Sequence, residues 1–521
     1  MQFRRAGGIA ILFWSCAFAN QTSDAGRYFE QARQLFEQRQ WDEAQAAAEK
    51  ALAADPRTGD AEILLGLIAT VRGKFPEAEG HFLRAVSLEP HNPQAHAYLG
   101  STYLQQKRLS QAAAVFQKAL ELSPGNVTAN YNLGAIALAR NSPAEALHYF
   151  EVVLGTNSSD IPGLIGRLES QLMLNQKQDA RGTTRRLQQL LGDSDPRLFQ
   201  IATLLAQHGE SAIAIPLIER VQRAFPQSYD VNYNLALACL QAGRYDKAFE
   251  VLQPLTGPQA KAEAFDLLGA IEDKRAHTTA AERAFGEAAR REPTNEDYRF
   301  NYGNSLLQHG KLQPAIMAFR GALLDVPRSA KLHIGLGSAY YLSGDYEAAV
   351  QALLEAVKSK PDSATAFFLL GEAYDSAARF QPAIERAFES YLKTAPRDPW
   401  AYYHYSAILY ARTQEGGPNH YETAAVNLKE ALRLNPLFAE AHFELGLIAF
   451  AEGRTEQGVR ALQKAVSLDP QLAPAHYRLG LAYQRLGNAV LSKKEFDQFR
   501  TLKNQERYRG QVLESLSAMG R

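Results

Sequence analysis

The sequence predicts an all-α solenoid of about 14 helix-turn-helix units. Three observations carry that reading. Prolines, glycines and small residues recur in register along the chain. Each period holds two amphipathic helical patterns separated by a short polar turn. No stretch is rich in β-branched and aromatic alternation, so no sheet is expected. With 521 residues, the chain exceeds what one hydrophobic core usually holds, roughly 250–300 residues. A composition of 46% hydrophobic and 21% charged residues excludes wholesale disorder and a multi-span membrane protein. Lys+Arg and Asp+Glu both number 56, so no basic excess points to nucleic acid. The two cysteines, Cys16 and Cys239, exclude a disulfide scaffold and a Cys-rich zinc site.

Residues 1–24 read as a signal peptide. Arg4 and Arg5 precede an uncharged apolar stretch from Ala6 to Ala17, too short to span a bilayer. Ala17-Phe18-Ala19 fits a small-x-small cleavage site, so cleavage is expected after Ala19. A second reading makes Cys16, preceded by Ser15, the lipidated residue of a bacterial lipoprotein, although Phe13 and Trp14 fit that pattern poorly. Either way the expectation is export: periplasmic or secreted, with membrane attachment as a lipoprotein in the second reading. No later segment is expected to cross a membrane.

From residue 25 onward the step is 34 residues. Pro56, Pro90 and Pro124 keep it, as do Pro293, Pro327 and Pro361. Gly66, Gly100 and Gly134 hold a second register, with Gly269, Gly303, Gly337 and Gly371 further on. Ala44, Ala78, Ala112 and Ala146 hold a third. The small residues belong where two helices cross closely, since a larger side chain would push the axes apart. Pro361 ends a helix by removing a backbone donor and disfavouring helix at the preceding residue. One helix pair cannot bury its own apolar face, so stacked neighbours supply the core.

Residues 93–126 carry Leu99, Gly100, Tyr103, Ala112, Phe116, Ala119 and Pro124 at fixed offsets; residues 330–363 carry Leu336, Gly337, Tyr340, Ala349, Leu353, Ala356 and Pro361. This pattern resembles the tetratricopeptide repeat family. Fourteen repeats are expected, beginning near 25, 59, 93, 127, 161, 195, 229, 262, 296, 330, 364, 399, 439 and 473. The resemblance implies a right-handed superhelix whose first helices line a concave groove that binds protein segments. Cys239 falls where other repeats have Tyr or Leu, and is expected to be a buried apolar residue.

Repeats 1–4 occupy 25–160 and repeats 6–14 occupy 195–506. Between them, 161–194 is a divergent repeat 5, with Arg181, Gly182 and Thr184 where packing residues belong. A softer joint and an ordinary degenerate repeat are both open readings. Repeat 12 has a long inter-helix segment, Thr413 to Tyr421, preceded by the aromatic run Trp400, Tyr402, Tyr403, His404, Tyr405 and Tyr410. By the family's geometry Trp400, Tyr403, His404 and Tyr410 face the groove, while Tyr402 and Tyr405 pack. The competing reading packs all of them between repeats. Residues 507–521 are expected to form a capping helix.

No phosphate-binding loop, dinucleotide fingerprint or His-Glu-x-x-His motif is present. No metal site, cofactor or catalytic domain is expected, so the chain is read as a non-enzyme. An enzyme would instead show groove residues with strongly shifted pKa values. The groove reading rests on Asn132, Asn234 and Asn301 at one place in their repeats, with Asn304 a turn beyond Asn301. The resemblance implies that such asparagines bond the backbone of an extended peptide, because an amide both donates and accepts. Gln200 and His404 hold the same place in two other repeats. The expected partner is therefore a protein or extended peptide, with no nucleic acid. The alternative is a carbohydrate stacked on the repeat-12 aromatics.

Overall fold

The computed structural model describes residues 23–502, apart from 395. The expected signal peptide, Cys16 and the expected cap at 507–521 lie outside the described residues. Within them the chain forms 28 α-helices, two short 3-10 turns (Gln253–Leu255 and Ala378–Phe380) and no strand. The helices make fourteen pairs. Their first members begin at Asp24, Gly59, Pro93, Val127, Ile161, Pro196, Tyr229, Ala262, Glu296, Ala330, Ala364, Pro399, Ala439 and Ala473. Each start lies within one residue of the position read from the sequence.

The chain divides into two compact units, Met1–Asn234 and Leu235–Arg521. The division falls inside the first helix of repeat 7, Tyr229–Gln241, and not at the divergent repeat. Repeat 5 is a complete pair, Ile161–Met173 and Lys177–Leu190, within the first unit. Its packing is partly polar. Thr183 Oγ1 donates to Gln171 Oε1 at 2.8 Å in the interior. Arg181 and Lys177 reach forward to Glu210, at 3.2 and 3.1 Å.

Repeat 10 shows why each unit folds as it does. Its first helix, Ala330–Ser343, is capped by Ser329, whose Oγ accepts from Leu332 N at 2.9 Å. Gly344 follows in the left-handed region, at φ 82°, and turns the chain. Asp345 then caps the second helix, Tyr346–Ser359, by accepting from Ala348 N at 3.1 Å. The helices close on Gly337, where a Cβ would sit 2.7 Å from Leu353 Cγ. Gly100 and Phe116 make the same crossing in repeat 3, and Gly303 and Phe319 in repeat 9. Leu353 and Leu370 are fully buried between neighbouring repeats, and Cys239 is buried as expected.

The prolines do a second task that their spacing did not reveal. At several of them the proline leaves a carbonyl at the seam between repeats, and a polar side chain six residues later bonds it. His96 Nε2 reaches Pro90 O at 3.0 Å, and Asn130 Nδ2 donates to Pro124 O at 2.9 Å. Asn232 donates to Pro226 O, Arg299 to Pro293 O, and His476 reaches Pro470 O, at 2.9, 2.9 and 3.1 Å. His96 is therefore a seam residue. The signal was in the sequence as a fifth register of Asn, His and Arg.

Within the second unit the first helices of repeats 9 to 13 pack on one another in succession, and each second helix packs on the next repeat's first helix. In the first unit, the first helices of repeats 3, 4, 5 and 6 also touch in succession. This closer approach makes the first helices the inner face of each unit.

Candidate functional site

In the second unit, the first helices of repeats 11 to 14 build the most unusual stretch of inner face. Repeat 11 contributes Ala364–Glu372, only 9 residues long, which stops where its counterparts continue. Asp375 and Ser376 stand in the turn that follows, and no glycine supplies the usual left-handed residue there. Repeat 12 contributes Pro399–Gln414, repeat 13 Ala439–Ala451 and repeat 14 Ala473–Arg485.

The aromatic run of repeat 12 is mostly spent on packing between repeats. Trp400 stacks on His404 at 5.7 Å and 28°. Its edge contacts are Phe368 of repeat 11 at 5.2 Å and Phe438 of repeat 13 at 4.6 Å. Tyr403 lies 5.4 Å from Phe438 and 5.1 Å from His404. Tyr410 turns to Tyr421, at 5.9 Å, where the long inter-helix segment ends. Trp400, Tyr403 and Tyr410 stay half-buried, and Tyr402 is buried as expected. His404 departs from the expectation. It is 4% exposed and does not face solvent, because Gly371 opens a seat for it. A Cβ at 371 would lie 2.3 Å from His404 Cγ. Burial lowers the pKa of His404 to about 3, so its imidazole is neutral.

Beside this cluster stand acids that the sequence analysis did not single out. Glu372 ends the short helix, and His404 Nε2 is 3.9 Å from its Oε1. Burial, with a lesser push from Glu440, raises the pKa of Glu372 to about 7. Glu444 also rises to about 7 through burial, against the pull of Arg478 and with a further push from Asp375. Glu440 and Glu444 are 7% and 8% exposed and lie one turn apart on one helix face. Glu444 Oε2 and His404 Nε2 are buried without a hydrogen-bond partner. A signal existed: Glu444 and Arg478 hold the same repeat position as Asn301 and His404. Extending that comparison from amides to charges would have found them.

The asparagines do not act alike. Asn132 and Asn234, both half-buried in the first unit, donate back to their own helices, to Thr128 O and Asp230 O at 2.8 Å. In the second unit Asn301 Nδ2 donates across a seam to Asp266 Oδ1 at 2.9 Å, and burial raises the pKa of Asp266. Next to them Lys331 Nζ pairs with Asp297 at 2.8 Å and lies over the Phe300 ring at 4.6 Å. Asn304 is 8% exposed, with its Oδ1 unbonded. It is therefore an interior side chain and not an open groove position.

Two buried carboxyls titrating near neutrality are what an enzyme would show. The arrangement lacks the rest of a general acid–base pair. His404 is neutral, and its 3.9 Å separation from Glu372 exceeds hydrogen-bond reach. Among the described residues no three His, Cys, Asp or Glu side chains are placed to hold a metal ion, and no helix is long and apolar enough to cross a membrane.

Repeating helix pairs with a small-residue crossing and a polar inner face define a helical-repeat scaffold. Sequence models of the family described as "Tetratricopeptide repeat" match residues 29–93, 71–127, 99–161, 199–261 and 271–331. A second model, "TPR repeat", matches 337–375 and 446–487. The matches cover well over half of the chain, which belongs to the tetratricopeptide repeat family, a class of protein-interaction scaffolds. No curated protein matches it. Among solved structures it is similar to Pseudomonas aeruginosa pilF, at 20% identity and TM-score 0.35, over 40% of this chain and 94% of that one. It is similar to PilW, a widely conserved type IV pilus biogenesis factor, at 21% identity and TM-score 0.36, over 42% and 100%. The Cut9–Hcn1 hetero-tetramer of APC/C is similar at 13% identity and TM-score 0.32, over 95% and 96%.

Proposed function

We propose that this chain is a non-catalytic scaffold that holds protein segments against the inner face of its first helices. Exported through its N-terminal signal, it would work in assembly of an envelope, secretion or surface-polysaccharide complex. The observation that carries the binding role is the inner face of repeats 11 to 13. There, half-buried Trp400 and Tyr403 pack about His404, itself 3.9 Å from Glu372, and such rigid aromatics are frequent anchors of protein interfaces. The test is a pull-down with residues 20–521 from the envelope fraction of the host, followed by mass spectrometry. A Trp400→Ala, Tyr403→Ala, Asn301→Ala variant that keeps its helical circular dichroism serves as the comparison. A protein lost only in the variant supports the groove; identical recovery from both moves the site to the outer face.

The half-burial of Trp400 and Tyr403 also favours one second reading, a carbohydrate stacked on the same rings. Retention of a polysaccharide that Trp400→Ala abolishes would select it. The proposed lipid anchor at Cys16 has its own test, since intact mass of the exported protein separates cleavage after Ala19 from an acylated Cys16.

A further inference from the structure

We propose that His476 and Glu495 form a proton-dependent clasp on repeat 14. One proton held between them locks the two helices of that repeat to each other and to the end of repeat 13, and its loss at rising pH loosens the end of the array. The inference goes beyond the scaffold reading, since it concerns how the array is held and not what it binds.

The surroundings of one ring carry it. His476 lies on Ala473–Arg485, the first helix of repeat 14, and Glu495 on Ala489–Leu502, the second. They are 7% and 9% exposed. His476 Nε2 is 3.1 Å from Pro470 O, and its Nδ1 is 2.6 Å from Glu495 Oε2. A carbonyl oxygen carries no proton, so Nε2 must hold one and donate. Nδ1 then meets a carboxyl oxygen at bonding distance, and that contact needs a proton of its own, on the nitrogen or on the oxygen. Either placement gives the same count: the pair holds two protons and no net charge. Without the second proton a ring lone pair faces an anionic oxygen, or faces Pro470 O, in the interior.

Two other seam histidines make no such demand. His96 Nε2 and His333 Nε2 reach Pro90 O and Pro327 O at 3.0 and 3.1 Å, and among the described residues no carboxylate bonds either ring. Each is served by the single proton of a neutral imidazole. The other charged groups around repeat 14 stand away from the clasp. On Thr455–Leu468, Glu456, Arg460 and Lys464 are exposed, and so are Lys493, Lys494, Asp497 and Arg500 on the second helix of repeat 14. Asp469 Oδ1, in the turn before His476, accepts from Gln471 N at 2.9 Å. Arg478 and Arg485, on the same helix as His476, are exposed. On the first helix of repeat 13 stand Glu440, His442 and Glu444. Among the charged side chains of the described residues, His476 is paired with Glu495 alone. Linkage fixes the sign. A free histidine loses its second proton at about pH 6.5. Above that, the unfolded repeat holds one proton fewer than the closed clasp, so closure weakens as pH rises.

Hydrogen exchange of the full chain tests this, read by mass spectrometry on peptides from 473–502 and corrected for the intrinsic pH dependence of exchange. Opening of repeat 14 should increase at least about fivefold between about pH 6.5 and about pH 8.5. Peptides from 330–343, around His333, should change less than about twofold over the same range. Glu495→Gln supplies an amide that donates to Nδ1 without an extra proton, so the rise should vanish. His476→Asn keeps a donor for Pro470 O, as Asn130 does for Pro124 O, and should also abolish the rise. Circular dichroism shows whether each variant folds. If one does not, the other decides; if neither does, the wild-type contrast between the two segments decides. Opening that stays flat with pH in wild type overturns the inference, as does an equal rise around His333 or a rise of unchanged size in a folded variant.

Discussion

His404 Nε2 lies 3.9 Å from Glu372 Oε1 across the seam between repeats 11 and 12, too far for a hydrogen bond, with both atoms withdrawn from bulk water. The consequence is a pH dependence with opposed parts. The raised pKa of Glu372 and Glu444, about 7 against an ordinary 4.5, gives stability that is full below about 4.5 and lost as pH rises through 7. The lowered pKa of His404, about 3 against 6.5, gives stability present above 6.5 and lost as pH falls. Two carboxyls outweigh one imidazole between about pH 7 and pH 5, each contributing at most roughly 3 kcal/mol. Wild type minus Glu372→Gln/Glu444→Gln should therefore gain in melting temperature on acidification from pH about 8 to about 5. A difference that stays flat with pH would remove the carboxyls from the account.

Ala349 tests the repeat register itself. It is fully buried at the crossing where Gly337 meets Leu353. Ala349→Arg overfills that crossing and buries a charge without a partner, which should cost more than about 3 kcal/mol in urea unfolding. A neutral result would mean that residue 349 faces outward.

The helix starts were legible because their causes are local and repeat. Pro124 stops a helix and Asn126 caps the next, as Pro90 and Asn92 do one period earlier. The division at Asn234 and Leu235 was not legible, since Tyr229–Gln241 is an ordinary first helix and the break is a property of contacts along the array. The aromatic run of repeat 12 was visible, but the burial of His404 depends on Gly371 in the preceding repeat. Glu372 and Glu444 come from different repeats and read alone as solvated charges. Their shifts arise from burial between repeats, with lesser pushes from Glu440 on Glu372 and from Asp375 on Glu444.

Lys107 stands at φ 62°, where Gly73 and Gly310 occupy the equivalent turns at 74°. A side chain there meets the following carbonyl, at a cost of about 1–2 kcal/mol that glycine avoids. Glycine also loses more chain entropy on folding, so Lys107→Gly should stabilise by about 0.5–1 kcal/mol net. A fall in melting temperature would show that the Lys107 side chain contributes more than its backbone costs.

Asn130 tests the seam. It is 2% exposed and donates to Pro124 O and Asn126 O, both at 2.9 Å. Asn130→Leu keeps the volume but leaves Pro124 O without its donor in the interior, and should cost about 1–3 kcal/mol. Asn130→His should cost less than about 1 kcal/mol, because His96 makes the equivalent bond to Pro90 O. Packing alone would order the two variants the other way, since leucine fills an apolar seam better than imidazole. If leucine proves the milder change, the carbonyl is satisfied by solvent and the proline serves only to stop the helix. If histidine does, the Asn, His and Arg register is a second periodic constraint, one that ties a repeat to the next through a single bond wherever it occurs.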